Sequence, residues 1–400
     1  MKKRIGILTG GGDVQPLNAV IASARDTAKS LKIELVGIIK GWEGALESNY
    51  TDLSTLSIDP TIGGTILKSS RVNISKIKNG SEIVIDNLKK NNISGLIVIG
   101  GDDTLSNSFL IKSFPQILIS KTIDNDIGII SDNHKKFKLE NIINYFTLGF
   151  PTAASKISSF VSLKDGLRTT AYSHERIIVV ESMGMHTGWL ALSSGMGFPD
   201  FIIIPEFPLN YDSFLEKVIE KYNSQKHLII VIAEGAKWKN GSFIYTEKDE
   251  SEDFGHPRFG GSSNALKIQL KKDLAKHFNT RNINAVNPSY LYRSGKPNKL
   301  DLFWAQRLGE TAVRYLVEGI KGAKFLAINK DKSGFIMQNT SLSDFNSINE
   351  LYRLVDNRFY EPKNFQITED GKRYFREIII EFPLDKSYEL IGSKHHKSSD

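Results

Sequence analysis

Two acidic clusters define the chemistry open to this chain. In Gly100-Gly101-Asp102-Asp103-Thr104, two adjacent carboxylates follow a glycine pair. Neighbouring negative charges repel, so the pair makes physical sense where a Mg²⁺ joins the site, held by a carboxylate and by phosphates for which the glycines leave room. In Lys121-Thr122-Ile123-Asp124-Asn125-Asp126, a lysine, a hydroxyl and two carboxylates at i and i+2 offer a phosphate-neutralising cation and a general base with a nearby partner. Gly10-Gly11-Gly12-Asp13, shortly before Leu17, lets backbone N–H groups close on an anion at a helix N-terminus. Each motif also has a plainer reading. A tight strand–helix turn explains the glycines, helix capping explains one of Asp102 and Asp103 but not both, and an Asx-turn explains Asp124 or Asp126.

Further polar groups stand beside these loops. Ser182-Met183-Gly184-Met185-His186-Thr187-Gly188 has the look of a substrate loop, yet it carries no formal positive charge except by way of His186. Arg71 follows Gly63-Gly64-Thr65, where a second helix start near phosphate is expected, and Arg176 and Arg293 each adjoin a polar segment. Arginine suits forked phosphate recognition, although any single arginine is more often a surface or salt-bridged residue.

The elements that must position these loops are short β-branched runs alternating with helix-length segments. Strands are expected at Ile5–Thr9, Leu35–Ile39, Leu96–Gly100, Ile117–Ser120, Arg176–Glu181, Phe201–Pro205 and Leu228–Ala233. Most are apolar throughout, as strands buried on both faces of a parallel sheet are. Helices are expected at Leu17–Leu31, Glu82–Asn91 and Tyr211–Tyr222. The alternation predicts an α/β fold with right-handed crossovers, whose ligands bind beyond the carboxyl ends of the strands. The expected architecture is two Rossmann-like lobes with mainly parallel sheets and the active site in the cleft between them. The two lobes are expected at residues 1–135 and 136–325, with the chain crossing back between them. Residues 326–400 are a C-terminal extension whose end, Gly392–Asp400, frays. A boundary is expected near Gly128–Lys138 and a polar surface insertion at Lys237–Arg258.

Bulk properties narrow the classes. With 40% hydrophobic and 24% charged residues the chain is an ordinary globular protein, which excludes disordered and fibrous classes. The absence of cysteine removes disulfides, thiolate metal sites and a cysteine nucleophile. No apolar run reaches the roughly 18 residues of a membrane span, and the N-terminal apolar stretch is too short for a signal peptide. A cytoplasmic protein without membrane association is therefore expected. The net charge of +7 is spread along the chain with no concentrated basic stripe, which suits small phosphorylated substrates better than nucleic acid.

Taken together, in order across roughly residues 4–325, these loops resemble the phosphofructokinase family. The opening is Gly6-Ile7-Leu8-Thr9-Gly10-Gly11-Gly12-Asp13 with Leu17-Asn18-Ala19-Val20-Ile21, and Gly63-Gly64-Thr65-Ile66-Leu67 through Ser70-Arg71 follows. Thr122-Ile123-Asp124-Asn125-Asp126 is the most specific signature. Ser173-His174-Glu175-Arg176-Ile177, Ala233-Glu234-Gly235-Ala236 and Tyr290-Leu291-Tyr292-Arg293-Ser294-Gly295 complete the set. The resemblance implies that Asp124 removes the proton from a sugar 1-hydroxyl, with Asp126 in support, and that Asp102 takes part in binding Mg²⁺. It assigns the donor to Gly11, Arg71, Gly101 and Thr104. It assigns the sugar phosphate to Thr122, Arg176, Met183, Gly184, Met185, Glu234, Tyr290 and Arg293. Arg176 is expected to reach in from a neighbouring subunit, which implies a homo-oligomer, a dimer or tetramer.

The same resemblance implies the donor. ATP-using members typically carry glycine where this chain has Asp103, because an α-phosphate needs that space. A carboxylate fills it and repels, while Lys121 supplies charge to the smaller pyrophosphate, and Tyr290 through Pro297 followed by Asp301 has the look of the pyrophosphate-dependent branch. The implied reaction is reversible phosphoryl transfer from pyrophosphate to the 1-hydroxyl of fructose 6-phosphate. Four residues at three places depart from the family. Met185 stands where arginine is usual, Gln15-Pro16 replaces Pro-Gly, and Ser120 precedes Lys121 where proline is common. Met185 keeps two rival readings open: use of ATP or another phosphosugar such as sedoheptulose 7-phosphate, and an impaired, phosphosugar-binding regulatory subunit.

Overall fold

A computed structural model describes residues 4–129, 141–245 and 260–380. From the N-terminus the elements run β1 (Arg4–Thr9), α1 (Leu17–Ser30), β2 (Glu34–Ile38), α2 (Gly41–Glu47), β3 (Tyr50–Asp52), α3 (Gly80–Lys90), β4 (Ile93–Gly100), α4 (Asp102–Leu110), β5 (Gln116–Thr122), β6 (Leu148–Gly149) and α5 (Phe150–Val161). Next come α6 (Arg168–Ser173), β7 (Ile177–Ser182), α7 (Trp189–Ser193), β8 (Phe201–Ile203), α8 (Tyr211–Gln225), β9 (Leu228–Ala233), α9 (Ser262–Leu274) and β10 (Ile283–Val286). The chain ends with α10 (Lys299–Glu318), β11 (Ala323–Asp331), β12 (Gly334–Ser341), β13 (Tyr360–Glu361), β14 (Gln366–Ile367) and α11 (Glu369–Ile378).

The described residues form two compact units. The first gathers residues up to Thr152 and adds Arg293–Arg353; the second runs from Ala153 to Tyr292 and resumes at Leu354. The expected boundary at 135/136, most of Gly128–Lys138, the later part of Lys237–Arg258 and the tail Gly392–Asp400 lie outside the described residues. The boundary expected at 325/326 falls inside β11, and the stretch expected as one extension divides between the units after Arg353.

In the first unit, the strand order is β12-β11-β5-β4-β1-β2-β3, with β6 added beside the end of β5. The inner pairings are parallel, whereas β2–β3 and β11–β12 close the edges antiparallel. The central strands IGILT and LIVIG bury side chains on both faces: Leu8, Leu96 and Val98 share one core cluster with Leu118 of β5 and Phe325 of β11, and the alternate residues Ile7, Ile97 and Ile99 are buried as well. Each such side chain contributes about 1.5–3 kcal/mol on burial, so an unbroken apolar run is needed here rather than an alternating one. In the second unit β10-β7-β9-β8 form an all-parallel sheet, and Val179, Ile203, Phe214 and Ile230 lie in its core.

Two expectations shift in ways that matter for chemistry. β5 continues past Ser120, so Lys121 and Thr122 are strand residues paired with Leu148 and Gly149 of β6. No helix follows Gly63-Gly64-Thr65: the backbone stays irregular to a short 3-10 turn at Ile74–Lys76, and α3 begins only at Gly80. Among the described residues, no helix is long and apolar enough to cross a membrane.

Candidate active site

The carboxyl ends of β1, β4 and β5 bring three predicted motifs of the first unit together. β1 delivers Gly10–Asp13; Gly10 N–H donates to Ile99 O and Gly11 N–H to Ser70 O, so the loop lies between the end of β4 and the segment carrying Arg71. Gly11 has φ +74°, a left-handed conformation that favours glycine. A Cβ at Gly12 would overlap the Arg293 guanidinium, so the bare backbone is what admits that side chain.

Lys121 reaches back to the same loop. Its Nζ donates to the Gly12 carbonyl, and the residue is only 2% exposed. Burial pushes the ammonium down to about 7; Arg293 and Arg71 push the same way, while Asp13 and Asp102 oppose them. A cationic pair held this close, next to glycine amides, is suited to an anionic ligand.

Asp102 and Asp103 both occupy the first turn of α4, after Gly101 as N-cap. Neither side chain caps the helix, and a negative charge in this first turn is favourable to the helix dipole. Among the described residues, a Cβ at Gly101 would meet the Lys121 carbonyl alone, at 3.8 Å. Thr104 packs against Gly10 and Gly100, and its carbonyl accepts from Trp42 Nε1 at 2.9 Å. The Asp102 carboxylate accepts a hydrogen bond from the Tyr352 hydroxyl at 2.6 Å. Burial and the neighbouring Asp102 charge keep that phenol protonated, so it is the donor.

The Thr122–Asp126 turn is held from several directions. Thr122 Oγ1 accepts the Asp124 N–H at 3.1 Å, so a threonine rather than an aspartate makes the local turn. Asn125, at φ +54°, accepts the Thr147 N–H at 3.1 Å, and the Thr147 hydroxyl donates to Thr122 O at 2.6 Å. Burial raises the Asp124 carboxyl, Asp102 raises it further, and Arg293 and Lys121 pull it down. Asp126 is pushed well above the usual carboxylate range, by burial first and then by Asp102 and Asp124. Its Oδ1 is buried without a hydrogen-bond partner among the described residues. Like charges converging on a buried orphan oxygen are the electrostatic counterpart of a site built for a cation or a transferred proton.

In the second unit, the carboxyl ends of β7 and β9 hold the Met183–Gly188 loop and Glu234. The Gly184 N–H donates to Glu234 Oε1 at 3.1 Å, and the Glu234 N–H to Ser182 O at 2.8 Å. Met183 and Met185 are half-buried, and Gly235 packs against the Met185 carbonyl. Tyr290 is 74% exposed on the 3-10 turn Ser289–Tyr292. Arg176 is not with them. It precedes β7 and donates to Thr170 Oγ1 at 2.6 Å, at the opposite end of a strand about 20 Å long. Arg293, grouped by sequence with Tyr290, instead belongs to the first unit beside Gly12.

Asp301, read from the sequence as a branch feature, has a structural job. Its carboxylate accepts the N–H of Gly149 at 2.8 Å and of Thr152 at 2.9 Å, and the Thr152 hydroxyl, which caps the start of α5. Burial pushes it up to about 6 against those hydrogen bonds. Residues that sequence reasoning missed are Tyr352, Arg353 and Glu206, each a single polar residue without motif or periodicity around it.

Residues 4–316 match the phosphofructokinase family model, and the chain belongs to the phosphofructokinase family. It is a transferase of that class. It is 36% identical over 333 residues to the pyrophosphate--fructose 6-phosphate 1-phosphotransferase of Dictyoglomus thermophilum, covering 82% of this chain and 90% of the relative. It is 34% identical over 367 residues to the ATP-dependent 6-phosphofructokinase 3 of Streptomyces coelicolor, covering 90% of this chain and 99% of the relative. Among solved structures, the pyrophosphate-dependent phosphofructokinase of Marinobacter aquaeolei shares the fold at a TM-score of 0.75 and 20% identity, over 94% of this chain and 91% of that one.

Proposed function

We propose that this phosphofructokinase transfers a phosphoryl group from pyrophosphate to the 1-hydroxyl of fructose 6-phosphate, giving fructose 1,6-bisphosphate and phosphate, and that it runs in both directions. Relatives named for either donor stand at similar identity, 36% and 34%, so their names do not choose. The observation that carries the choice is Asp103. It brings a second carboxylate into the first turn of α4, the helix that Gly101 caps. A negative charge there opposes the α-phosphate of a nucleotide. Lys121, buried against the Gly12 carbonyl, supplies a cation to a short diphosphate instead.

Mg²⁺ fits the donor set. Among the described residues no three acidic or imidazole side chains converge as a closed cage, and Mg²⁺ takes one or two carboxylates with the remaining positions filled by substrate phosphates and water. Asp102 would hold it, with the orphan oxygen of Asp126 nearby in charge. When bound, the ion supplies charge neutralisation on phosphate oxygens. The chain's own residues do the rest. Asp124, with its raised affinity for a proton, accepts the proton of the sugar 1-hydroxyl as that oxygen bonds to phosphorus and the bond to the leaving phosphate breaks. Burial and the Asp102 charge sustain that proton affinity, with Asp126 as the supporting carboxylate of the turn, while Lys121, Arg293 and the glycine-loop amides take up the negative charge. Thr122, Glu234 and Tyr290 orient the sugar phosphate in this reading, and Arg176 comes from a second copy of the chain, since it lies at the far end of β7.

Met185 favours a second reading in which the acceptor is a different phosphosugar, because a thioether replaces a cationic donor. The deciding experiment is Mg²⁺-dependent conversion of fructose 6-phosphate by the purified protein, with pyrophosphate and ATP in parallel. Turnover with pyrophosphate alone supports the proposal; turnover with ATP overturns the Asp103 argument.

A further inference from the structure

The segment Leu351–Arg353 lies beyond the residues matched by the family model, which end at 316. It nevertheless runs antiparallel to the chain leaving the acidic turn. Gly128 N–H donates to Leu351 O at 2.8 Å, Ile127 bridges Tyr352, and the Arg353 N–H donates to Asp126 O at 2.6 Å. Consecutive residues of an extended segment point to opposite sides, and here the two sides do different work. The Arg353 guanidinium, in a residue 1% exposed, donates to the carbonyls of Tyr145 (2.7 Å), Ile127 (3.1 Å) and Asn144 (2.5 Å). That lock fixes the segment against the turn. Tyr352 is thereby aimed the other way, and its hydroxyl meets Asp102 Oδ2 at 2.6 Å, the length of a charge-assisted O–H···O⁻ bond.

We propose that Tyr352 is a positioning residue for Asp102: its hydroxyl pins one carboxylate oxygen and so presents the other to a divalent cation bound together with a diphosphate. The inference rests on the assignment of Asp102 to the cation. A carboxylate on a short side chain has few orientations, and a hydrogen-bonding partner that selects one of them typically controls metal affinity by about 10–100-fold. Because Arg353 also grips the Asp126 carbonyl, a single dipeptide sets the relative placement of the carboxylate on α4 and the turn after β5.

The test is a binding measurement without turnover. Mn²⁺ affinity is read from the electron paramagnetic resonance of free Mn²⁺, with the protein saturated by methylenediphosphonate, whose P–C–P bridge does not transfer. Y352F keeps the ring and loses only the hydroxyl. It is expected to weaken Mn²⁺ binding about tenfold or more, with an unchanged urea midpoint and unchanged fructose 6-phosphate affinity. In an Asp102→Asn background, Y352F is expected to cost no further Mn²⁺ affinity. Equal Mn²⁺ affinity in Y352F and the parent, or a loss that persists in full beside Asp102→Asn, overturns the proposal. A parent protein that takes up no Mn²⁺ with the diphosphonate overturns the cation assignment itself, and the role of Tyr352 with it.

Discussion

The Glu206 carboxylate accepts the backbone N–H of Gly188 at 2.9 Å, and the same oxygen accepts the N–H of Val355, also at 2.9 Å. Its other oxygen is buried against Gly188 with no hydrogen-bond partner among the described residues. One acid thus ties the end of the Met183–Gly188 loop to the chain that follows Arg353. Burial raises it to about 7, more than the backbone N–H groups lower it.

That raised value makes stability depend on pH with a definite sign. A carboxyl whose folded value lies above its unfolded one, about 4.5, contributes its full stability below that value and loses it as pH climbs through about 7. Glu206→Gln keeps an acceptor and removes the titration. Urea unfolding at pH 5 and pH 8 is expected to show a larger fall in stability for the parent than for the variant. Equal falls would mean that Glu206 does not carry the effect.

Lys121 has the opposite sign. Its folded value near 7 lies below its ordinary 10.5, so the buried ammonium costs stability in full below pH 7, and the cost fades as pH approaches 10.5. Lys121→Met is expected to unfold at higher urea than the parent at pH 7, with the gap closing by pH 10. Turnover with pyrophosphate is expected to drop by about 10²–10³, the scale of one lost charge-stabilising donor. A more stable, still active variant would remove Lys121 from the donor site.

Asp103→Gly takes away the carboxylate that argues against nucleotides. The ratio of ATP-supported to pyrophosphate-supported turnover is expected to rise at least about tenfold, which is about 1.4 kcal/mol in relative transition-state binding. An unchanged ratio would show that donor choice is made elsewhere.

Met185→Arg restores a cation to the Met183–Gly188 loop. The expected result is a rise in kcat/KM for fructose 6-phosphate, bounded by the roughly 10²–10³ that such donors contribute. No change in initial-rate kinetics would mean that another residue already supplies the charge.

The sheet cores were readable because parallel strands buried on both faces leave unbroken apolar runs, as at Leu96–Gly100 and Leu228–Ala233. β11 and β12 were not, since AKFLAINKD and GFIMQNTS mix polar with apolar side chains at a sheet edge. Strand ends were blurred where chemistry begins: Lys121 and Thr122 have the composition of a loop but pair with β6. The glycine and aspartate motifs of the first unit were legible, and the structure gathers them. Arg293 was not placed with them, because only the folded chain sets it against Gly12. Tyr352 lacks any local signal: a half-buried tyrosine in a polar stretch becomes meaningful only when the fold lays it on Asp102.

The late return of the chain to the first sheet has a consequence for biosynthesis. β11 fills the edge of β5 at Gln116–Ile119, and the dipeptide that braces the acidic turn comes later still. A ribosome adding about 5–20 residues per second reaches β11 some 10–40 seconds after finishing β5. Throughout that interval a strand of apolar residues stands with unpaired amide and carbonyl groups, the kind of edge that recruits other nascent chains. Expression yield is therefore expected to respond to translation speed and chaperone supply.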